Sequence, residues 1–447
     1  MSGLIPDFGN ILYTAGAFII ALSIIVAVHE FGHYIVGRWS GIAADVFSLG
    51  FGPKLISRVD KRGTRWQIAL IPLGGYVKFR GDANAASAGV DEAALQGLSA
   101  EERRATMQGA PLWARAATVA AGPVFNFILS MIILTAMALY SGSATTEPQI
   151  GTLIEMPEGT GDVKTGDVIR AVGGIETPDY DALFKASETL PSSPSLTYLV
   201  TREGADLNAA GPALYPARLD GIAPGSAAAE AGLQPGDVVI RADGMRLYEF
   251  SDLQEQVKLS QGQPMTLEVW RPGMAADEVL TVTLTPRSTD MPLRDGGFET
   301  RYLIGATGGY FFTPALRPTG LVEAVTGAAN EVWFVMRSSV SGMWHMATGA
   351  ISSCNLRGPL GIAESSGAAA GAGATSFIWF IAMLSTAVGL LNLFPIPVLD
   401  GGHLVFHAYE AITRRPPSEK VLNLLYALGG GFVLVLMLFG LTNDLFC

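Results

Sequence analysis

Long runs without charged residues alternate along this chain with charged, turn-rich stretches. A helix needs about 20 mainly apolar residues to cross a bilayer. The pattern therefore predicts a polytopic α-helical membrane protein with about four transmembrane helices, at residues 1–37, 111–141, 373–400 and 421–443. The composition agrees, since 49% of residues are hydrophobic, only 15% are charged and the mean hydropathy is +0.35.

A basic segment at 38–110 separates the first two predicted spans. Its stretch 66–80 (WQIALIPLGGYVKFR) has two short apolar runs on either side of Gly74 and Gly75, a pattern that predicts a β-hairpin. This hairpin is more apolar than an ordinary exposed loop. The pattern fits a membrane-associated hairpin covered by protein, and it equally fits a hairpin packed on a cytosolic surface. Residues 83–109 are predicted to form a flexible or weakly helical excursion.

The acidic region after the second span contains an internal repeat with an offset of 70 residues. Residues 165–174 (TGDVIRAVGG) resemble residues 235–244 (PGDVVIRADG), which predicts two small inserted α+β domains at 146–211 and 212–290. The second copy also contains residues 223–237 (APGSAAAEAGLQPGD) and resembles a bacterial PDZ domain. That resemblance implies a sheet edge where a peptide C-terminus can add as a strand. The first copy lacks this part, so both a working groove and a simple spacer remain open for it.

Residues 291–372 are predicted to form a linker and an amphipathic helix. The stretch 320–350 has helical spacing of apolar residues but carries too much charge for a span, which is typical of a helix on the membrane surface. Residues 351–375 are rich in Ser, Gly and Ala, a composition that indicates a linker. Two cysteines, Cys354 and Cys447, are too few for a disulfide framework, and whether they pair stays open.

The distribution of charge predicts the orientation in the membrane. Residues 38–115 carry 11 Lys/Arg against 7 Asp/Glu, and the short loop 401–420 is also basic. The positive-inside rule places both segments in the cytoplasm, so both termini and the repeated domains are expected outside. The formal net charge of −11 argues against a nucleic-acid partner.

The first span contains His29-Glu30-Phe31-Gly32-His33, which has the pattern H-E-x-x-H. Residues four apart share a helix face, so His29 and His33 can bind one metal ion, and Glu30 can take a proton from a bound water. The alternative is a pair of satisfied core histidines. Ionisable groups inside a span are costly and usually mark function, which favours the metal site.

The third span is predicted to end near residue 393, because two prolines at 395 and 397 break the helix. Asp400 on this broken end is the expected third ligand, because the predicted topology brings it to the same depth as both histidines and zinc hydrolases commonly add a carboxylate. Asn126 in the second span either joins a neighbouring helix or belongs to the site. His403 and His407 are also four apart but are predicted to lie on an interfacial helix without metal. His345 is predicted to be structural.

These motifs together resemble the site-2 protease family over nearly the whole chain. The resemblance rests on His29-Glu30-x-x-His33, Gly122-Pro123-x-x-Asn126, Gly74-Gly75 and Asn392-x-x-Pro395-x-Pro397-x-x-Asp400-Gly401. It implies Zn²⁺ held by His29, His33 and Asp400, with Glu30 as the catalytic base. It further implies a set of residues that position substrate or stabilise the oxyanion, namely Asn392, Asn126, Gly74, Gly75, Tyr76 and Val77.

The same resemblance implies an intramembrane endopeptidase of the bacterial inner membrane. Its expected substrate is a pre-trimmed, single-span type II membrane protein such as an anti-sigma factor, cut within the lipid bilayer during envelope stress signalling. The PDZ-like domains and both termini are then periplasmic, and the active site lies near the cytoplasmic side. A non-catalytic PDZ scaffold or chaperone is the alternative, which the intact His29, Glu30, His33 and Asp400 disfavour. A transporter fits poorly with four spans and a tandem insertion.

Overall fold

The computed structural model describes residues 8–82, 97–223, 225–292, 298–349, 351–352 and 356–446. Several features predicted from the sequence lie outside the described residues. They are Pro224 of the second repeat, residues 83–96 of the excursion, and the two cysteines Cys354 and Cys447.

Helices and strands follow one another in three blocks. The first block comprises α1 (Phe8–Trp39), β1 (Ala44–Val59), β2 (Arg65–Phe79), α2 (Ala100–Arg104) and α3 (Leu112–Ser141). The second block comprises β3 (Ser143–Ala144), β4 (Ile150–Leu153), β5 (Val168–Val172), β6 (Ile175–Glu176), α4 (Tyr180–Thr189), β7 (Leu196–Arg202), β8 (Ala205–Gly211), β9 (Gly221–Ile222), α5 (Ala227–Glu230), β10 (Val238–Ala242), β11 (Met245–Arg246), α6 (Phe250–Leu259), β12 (Met265–Trp270), β13 (Leu280–Leu284), β14 (Arg287–Pro292), β15 (Phe298–Leu303), β16 (Ala306–Thr307), β17 (Phe312–Pro314) and β18 (Leu316–Arg317). The third block comprises α7 (Leu321–Ala347), α8 (Pro359–Gly371), α9 (Ala374–Asn392), α10 (Asp400–Thr413) and α11 (Glu419–Phe446).

Four helices of the described chain are long and apolar enough to cross a membrane. They contain the segments Ile11–Trp39, Leu112–Ser141, Ala374–Asn392 and Glu419–Leu445. The prediction of a polytopic membrane protein with about four spans is confirmed at this level. The chain forms two compact units, of which the first holds all four of these segments apart from the last turn of α3.

The third span breaks where its prolines predict. The predicted segment 373–400 includes the motif that closes the span, and the helix itself ends at Asn392, because Pro395 and Pro397 cannot continue a helix. A separate helix, α10, begins at Asp400 and ends at Thr413, so most of the predicted loop 401–420 is helical. Asp400 thus stands in the first turn of a new helix instead of closing the old one.

The segment predicted as a linker contains a packed helix, α8. Its Gly367 lies so close to α1 that an added Cβ would sit 2.9 Å from the Cβ of Thr14. The Asp444 carboxylate, near the end of α11, accepts hydrogen bonds from the backbone amides of Gly358 (2.7 Å), Leu360 (3.0 Å) and Gly361 (3.1 Å). Small residues therefore serve close helix packing here, and the prediction of a linker at 351–375 was wrong for α8.

The predicted hairpin at 66–80 does bend back near its glycines, but its two arms pair with another strand and not with each other. Residues 65–79 form one strand, β2, and its main partner is β1. The turn between them centres on Asp60, whose Oδ1 accepts the amides of Arg62 (2.8 Å) and Thr64 (3.0 Å). Both strands bend, so that four segments lie side by side in the order 75–79, 44–49, 65–68 and 56–59. The segment 75–79 is an edge of this sheet.

The second unit holds two modules of the same design. Their four-stranded sheets have the orders β6-β5-β7-β8 and β11-β10-β12-β13, and helices α4 and α6 occupy equivalent places 70 residues apart. Each module has the same ion pair at one end of its sheet: Arg202 to Asp167 at 2.7 Å in the first, and Arg271 to Asp237 at 2.7 Å in the second. The short helix α5, capped by Ser226, belongs to the second module, where the longer sequence motif lies.

Both modules are completed by residues that follow them in sequence. In the second module β9 pairs with β16, and in the first module β4 pairs with β17. The two phenylalanines Phe311 and Phe312 are 0% and 2% exposed and lie in the core of the first module. The predicted limits 146–211 and 212–290 therefore omit the closing strands, and the second module is inserted within the first.

Candidate active site

Three side chains predicted to bind metal converge at one point. His29 and His33 lie one helical turn apart on α1, with 3.2 Å between their Nε2 atoms. Asp400 Oδ2 lies 3.1 Å from His29 Nε2 and 3.5 Å from His33 Nε2. One ligand atom from each of the three residues falls within 4.8 Å of the others. Two imidazole nitrogens and one carboxylate oxygen form a donor set that zinc accepts while a fourth position stays open, so these residues fit a zinc ion.

The break between α9 and α10 positions Asp400. Gly402 packs against the two-proline segment so closely that an added Cβ would lie 2.5 Å from the Cα of Pro397. An added Cβ at Gly401 would likewise lie too close to the carbonyl oxygens of Leu393 and Phe394. The carboxylate of Asp400 is in the first turn of α10, where the helix dipole favours negative charge.

Glu30 lies next to the edge strand of the β1–β2 sheet. The backbone amide of Val77 donates a hydrogen bond to the Glu30 carboxylate. Gly75 allows this approach, because an added Cβ would sit 3.2 Å from Glu30 Cγ and 2.8 Å from the Ser48 carbonyl oxygen. At Gly74 an added Cβ would collide with the ring of Phe51. The glycine pair therefore permits close packing beside Glu30 at the point where β2 has bent back between residues 68 and 75.

Two asparagines predicted for the site are found in different settings. Asn126 is fully buried, and its Nδ2 lies 3.2 Å from His29 Nδ1. Asn392 is in the last turn of α9, where its Nδ2 donates to the Val388 carbonyl at 3.1 Å. Asn392 lines the same cavity as His29, His33 and Asp400.

One functional contact was missed by sequence reasoning. The backbone carbonyl of Thr118 on α3 lies 2.8 Å from Nδ1 of His33, within hydrogen-bonding distance. A backbone acceptor leaves no signature in the side-chain sequence, so no pattern could have found it. The nearby Gly122 does carry a signal, because an added Cβ there would lie 2.8 Å from His29 Cε1 and closer still to His33 Nε2.

A cavity of about 680 Å³ surrounds these groups. One wall is built from the edge residues Gly75, Tyr76 and Val77 of β2. Beyond the converging ligands the cavity continues along α10, past His403 and His407 to the ion pair of Arg115 with Glu410.

The far wall of the cavity is polar and contains a partly buried ion pair. Arg115 donates two hydrogen bonds to Glu410, at 2.6 Å and 3.0 Å, and so ties α3 to α10. Burial, with the charge of Arg115 as a lesser cause, lowers the pKa of His407 to about 4, so its imidazole is neutral at pH 7. The ring of His403 packs against Tyr426 on α11, with 5.6 Å between centroids.

His345, also singled out in the sequence, lies in α7.

Comparison with known proteins matches nearly the whole chain. Residues 17–437 match the model of peptidase family M50. A protein of Agrobacterium fabrum named as a zinc metalloprotease is 35% identical over 432 residues, which are 96% of this chain and 94% of that protein. The regulator of sigma E protease of Salmonella typhimurium is 34% identical over 464 residues, 97% of this chain and 99% of that protein. The corresponding protein of Escherichia coli is 33% identical, with the same coverage.

Fold, converging ligands and matches together define an integral-membrane metalloendopeptidase. The chain belongs to peptidase family M50, the site-2 proteases, which are zinc-dependent enzymes of regulated intramembrane proteolysis. It is a protein of the inner membrane.

Proposed function

We propose that this protein hydrolyses a peptide bond inside the transmembrane segment of a single-span membrane protein. The observation that carries the proposal is the convergence of His29, His33 and Asp400 to within 4.8 Å, with the first two on an apolar helix long enough to cross a bilayer. These three residues would hold a zinc ion, and Glu30 beside them would be the catalytic base.

Glu30 carries the proton transfers in this mechanism. A bound zinc ion would supply a Lewis acid that lowers the pKa of water to about 7 and polarises the scissile carbonyl. The Glu30 carboxylate accepts a proton from the attacking water and then delivers it to the nitrogen of the leaving amine. The Val77 amide donates to this carboxylate and so fixes its direction.

A helical substrate has to unwind before its peptide bond can be attacked. Each backbone group that unwinding frees in apolar surroundings is costly unless it finds a hydrogen-bond partner. The edge segment 75–79 has its outer side toward Glu30 and offers such partners by strand addition. Asn392 lines the same cavity and is assigned to positioning the unwound segment.

The proposed substrate is a type II membrane protein already trimmed outside the membrane, such as an anti-sigma factor. Two relatives are named regulators of sigma E protease, which supports this substrate class. The second module, PDZ-like in its 223–237 motif, is proposed to bind the free C-terminus of the trimmed substrate. We propose that both modules and both chain termini lie in the periplasm and that the zinc site lies near the cytoplasmic face, because the basic loops 38–115 and 401–420 are expected inside.

Cleavage in liposomes tests the proposal directly. We expect a purified single-span substrate with a short outer tail to be cut within its membrane segment. Removal of zinc with a chelator should abolish the cut, and added Zn²⁺ should restore it. A matched substrate with the same span and an intact folded outer domain should be cut more slowly.

The two arms of that assay separate two claims. Cleavage that survives complete metal removal, or that falls only outside the membrane segment, would overturn the zinc mechanism inside the bilayer. Equal cleavage of both substrates would overturn only the proposed binding of the trimmed C-terminus by the second module. Product masses determined by mass spectrometry locate the bond in each case.

Single-cysteine labelling tests the proposed orientation. In a chain with Cys354 and Cys447 replaced by serine, Ala276→Cys should react with an impermeant maleimide on intact spheroplasts. Ser418→Cys should react only after the membrane is permeabilised. Both positions are exposed in the fold, so access is set by the membrane. The opposite labelling pattern would invert the topology.

A further inference from the structure

Helix α3 contacts the outer nitrogen of both converging imidazoles. His33 Nδ1 lies 2.8 Å from the backbone carbonyl of Thr118, and His29 Nδ1 lies 3.2 Å from the side-chain amide of Asn126. The Nε2 atoms of the same rings face one another and Asp400. Each ring therefore has one nitrogen turned to the ligand cluster and one turned to α3.

The chemistry of imidazole fixes what the outer nitrogens need. A metal takes the lone pair of Nε2 from a neutral ring, so the proton of that ring must be on Nδ1. The Thr118 carbonyl is a suitable acceptor for the Nδ1–H of His33. His29 needs an acceptor too, and among the described residues Asn126 is the polar partner recorded at its Nδ1.

The side-chain amide of Asn126 can supply that acceptor if it rotates by half a turn about its terminal side-chain bond. Its Nδ2 faces His29, while its Oδ1 is buried without a hydrogen-bond partner among the described residues. A half-turn exchanges the two atoms and brings Oδ1 to the Nδ1–H of His29. The His29 Nδ1–H then donates a hydrogen bond to Asn126 Oδ1, which removes the cost of a buried unpaired polar atom.

The surroundings hold the Asn126 backbone firmly. Its carbonyl oxygen lies within hydrogen-bonding distance of the hydroxyls of Ser130 (3.1 Å) and Ser385 (2.9 Å). Gly389 of α9 approaches so closely that an added Cβ would lie 3.1 Å from Asn126 Cβ. These contacts join α3 to α9 through the backbone of Asn126, so its side chain is not needed as a bond between helices.

We propose that Asn126 is a positioning residue that selects the metal-binding tautomer of His29 and fixes the plane of its ring. The inference rests on the metal-ligand role proposed above for His29. Hydrogen-bond partners of metal-binding histidines are worth about 10- to 100-fold in metal affinity. Asn126 acts through His29 and has no contact with substrate in this assignment.

Zinc affinity of the purified full-length protein tests the inference. Competition with a chromophoric chelator should show about 10- to 100-fold weaker binding for Asn126→Leu, which keeps the approximate size but cannot accept a hydrogen bond. Asn126→Asp should retain at least the wild-type affinity, because a carboxylate accepts the Nδ1–H of His29. The unfolding temperatures of the metal-free variants should rank in the opposite order, with Asn126→Leu above Asn126→Asp. The reason is that a buried unpaired carboxylate is costlier than a buried leucine.

Matched variants make the outcomes separable. Thr386→Val removes a buried hydroxyl that bonds only within α9, to Ala382 at 3.1 Å, and should leave zinc affinity unchanged. If Asn126→Leu binds zinc as tightly as the wild type while His29→Ala does not, the positioning role is overturned and the ligand assignment stands. If His29→Ala also binds zinc normally, the proposed site itself fails.

Discussion

Replacing Glu30 by glutamine is expected to lower the cleavage rate by about 10²- to 10⁴-fold while zinc stays bound. The amide has nearly the same shape as the carboxylate, and its oxygen can still accept the hydrogen bond from Val77. It cannot take a proton from water, so the base is lost without loss of a metal ligand. The measurement is cleavage of a reconstituted single-span substrate, together with zinc content by elemental analysis.

The matched control is Glu364→Gln, which removes an exposed carboxylate on α8. This variant should cleave at the wild-type rate. If Glu30→Gln also cleaves within about twofold of the wild type, Glu30 is not the base. If its zinc content falls with its activity, the carboxylate acts on the metal site and the proton-transfer role is lost.

The second large effect is expected from Gly122→Ala. The added methyl group would lie 2.8 Å from His29 Cε1 and overlap His33 Nε2, so both rings would have to move or α3 would have to retreat. Either change separates the histidines from Asp400. We expect zinc affinity to fall by more than the roughly 100-fold that the loss of a ligand's hydrogen-bond partner costs, and cleavage to become undetectable.

Gly431→Ala is the control for the helical effect of the substitution. An added Cβ at Gly431 of α11 meets nothing within 4 Å. That substitution should be neutral or stabilising by about 0.4–1 kcal/mol, because alanine reduces the freedom of the unfolded chain. Wild-type zinc binding in Gly122→Ala would show that α3 does not hold the imidazoles as the structure indicates.

Local spacing predicted the part of the site that lies on a single helix. His29 and His33 are neighbours on α1 because four residues make about one turn, whatever the rest of the fold does. Asp400 is 367 residues beyond His33 in sequence, and only the alternation of spans suggested that it would reach the same depth. The two prolines predicted the break before Asp400, but not that Asp400 itself begins the new helix α10.

The glycine-rich stretches were the least predictable. Gly74 and Gly75 lie where β2 completes a reversal of direction, but the arms on either side of them pair with β1 and not with each other. Phe51 and α1 also leave no room for side chains at this point. The turn between β1 and β2 at Asp60 has its own signature in the side-chain hydrogen bonds to Arg62 and Thr64. Glycine can mark either a turn or a close approach, and the sequence alone does not distinguish them.

Helix α8 was missed for a related reason. Its composition suits a linker when it is viewed alone, since small residues give little hydrophobic periodicity. Its stability comes from neighbours far away in sequence: Thr14 packs against Gly367, and Asp444 accepts the amides at its first turn. Long-range capping of this kind is invisible to any window of local sequence.

The nesting of the two modules constrains how the chain is made. Strand β4 ends at residue 153, and its partner β17 begins at residue 312, about 160 residues later. At a synthesis rate of about 5–20 residues per second, β4 waits about 8 to 32 s for that partner to exist. Phe311 and Phe312, which fill the first core, arrive equally late. The ribosome thus completes every residue of the inner module before it completes the outer one, so the module begun first is the last that can close.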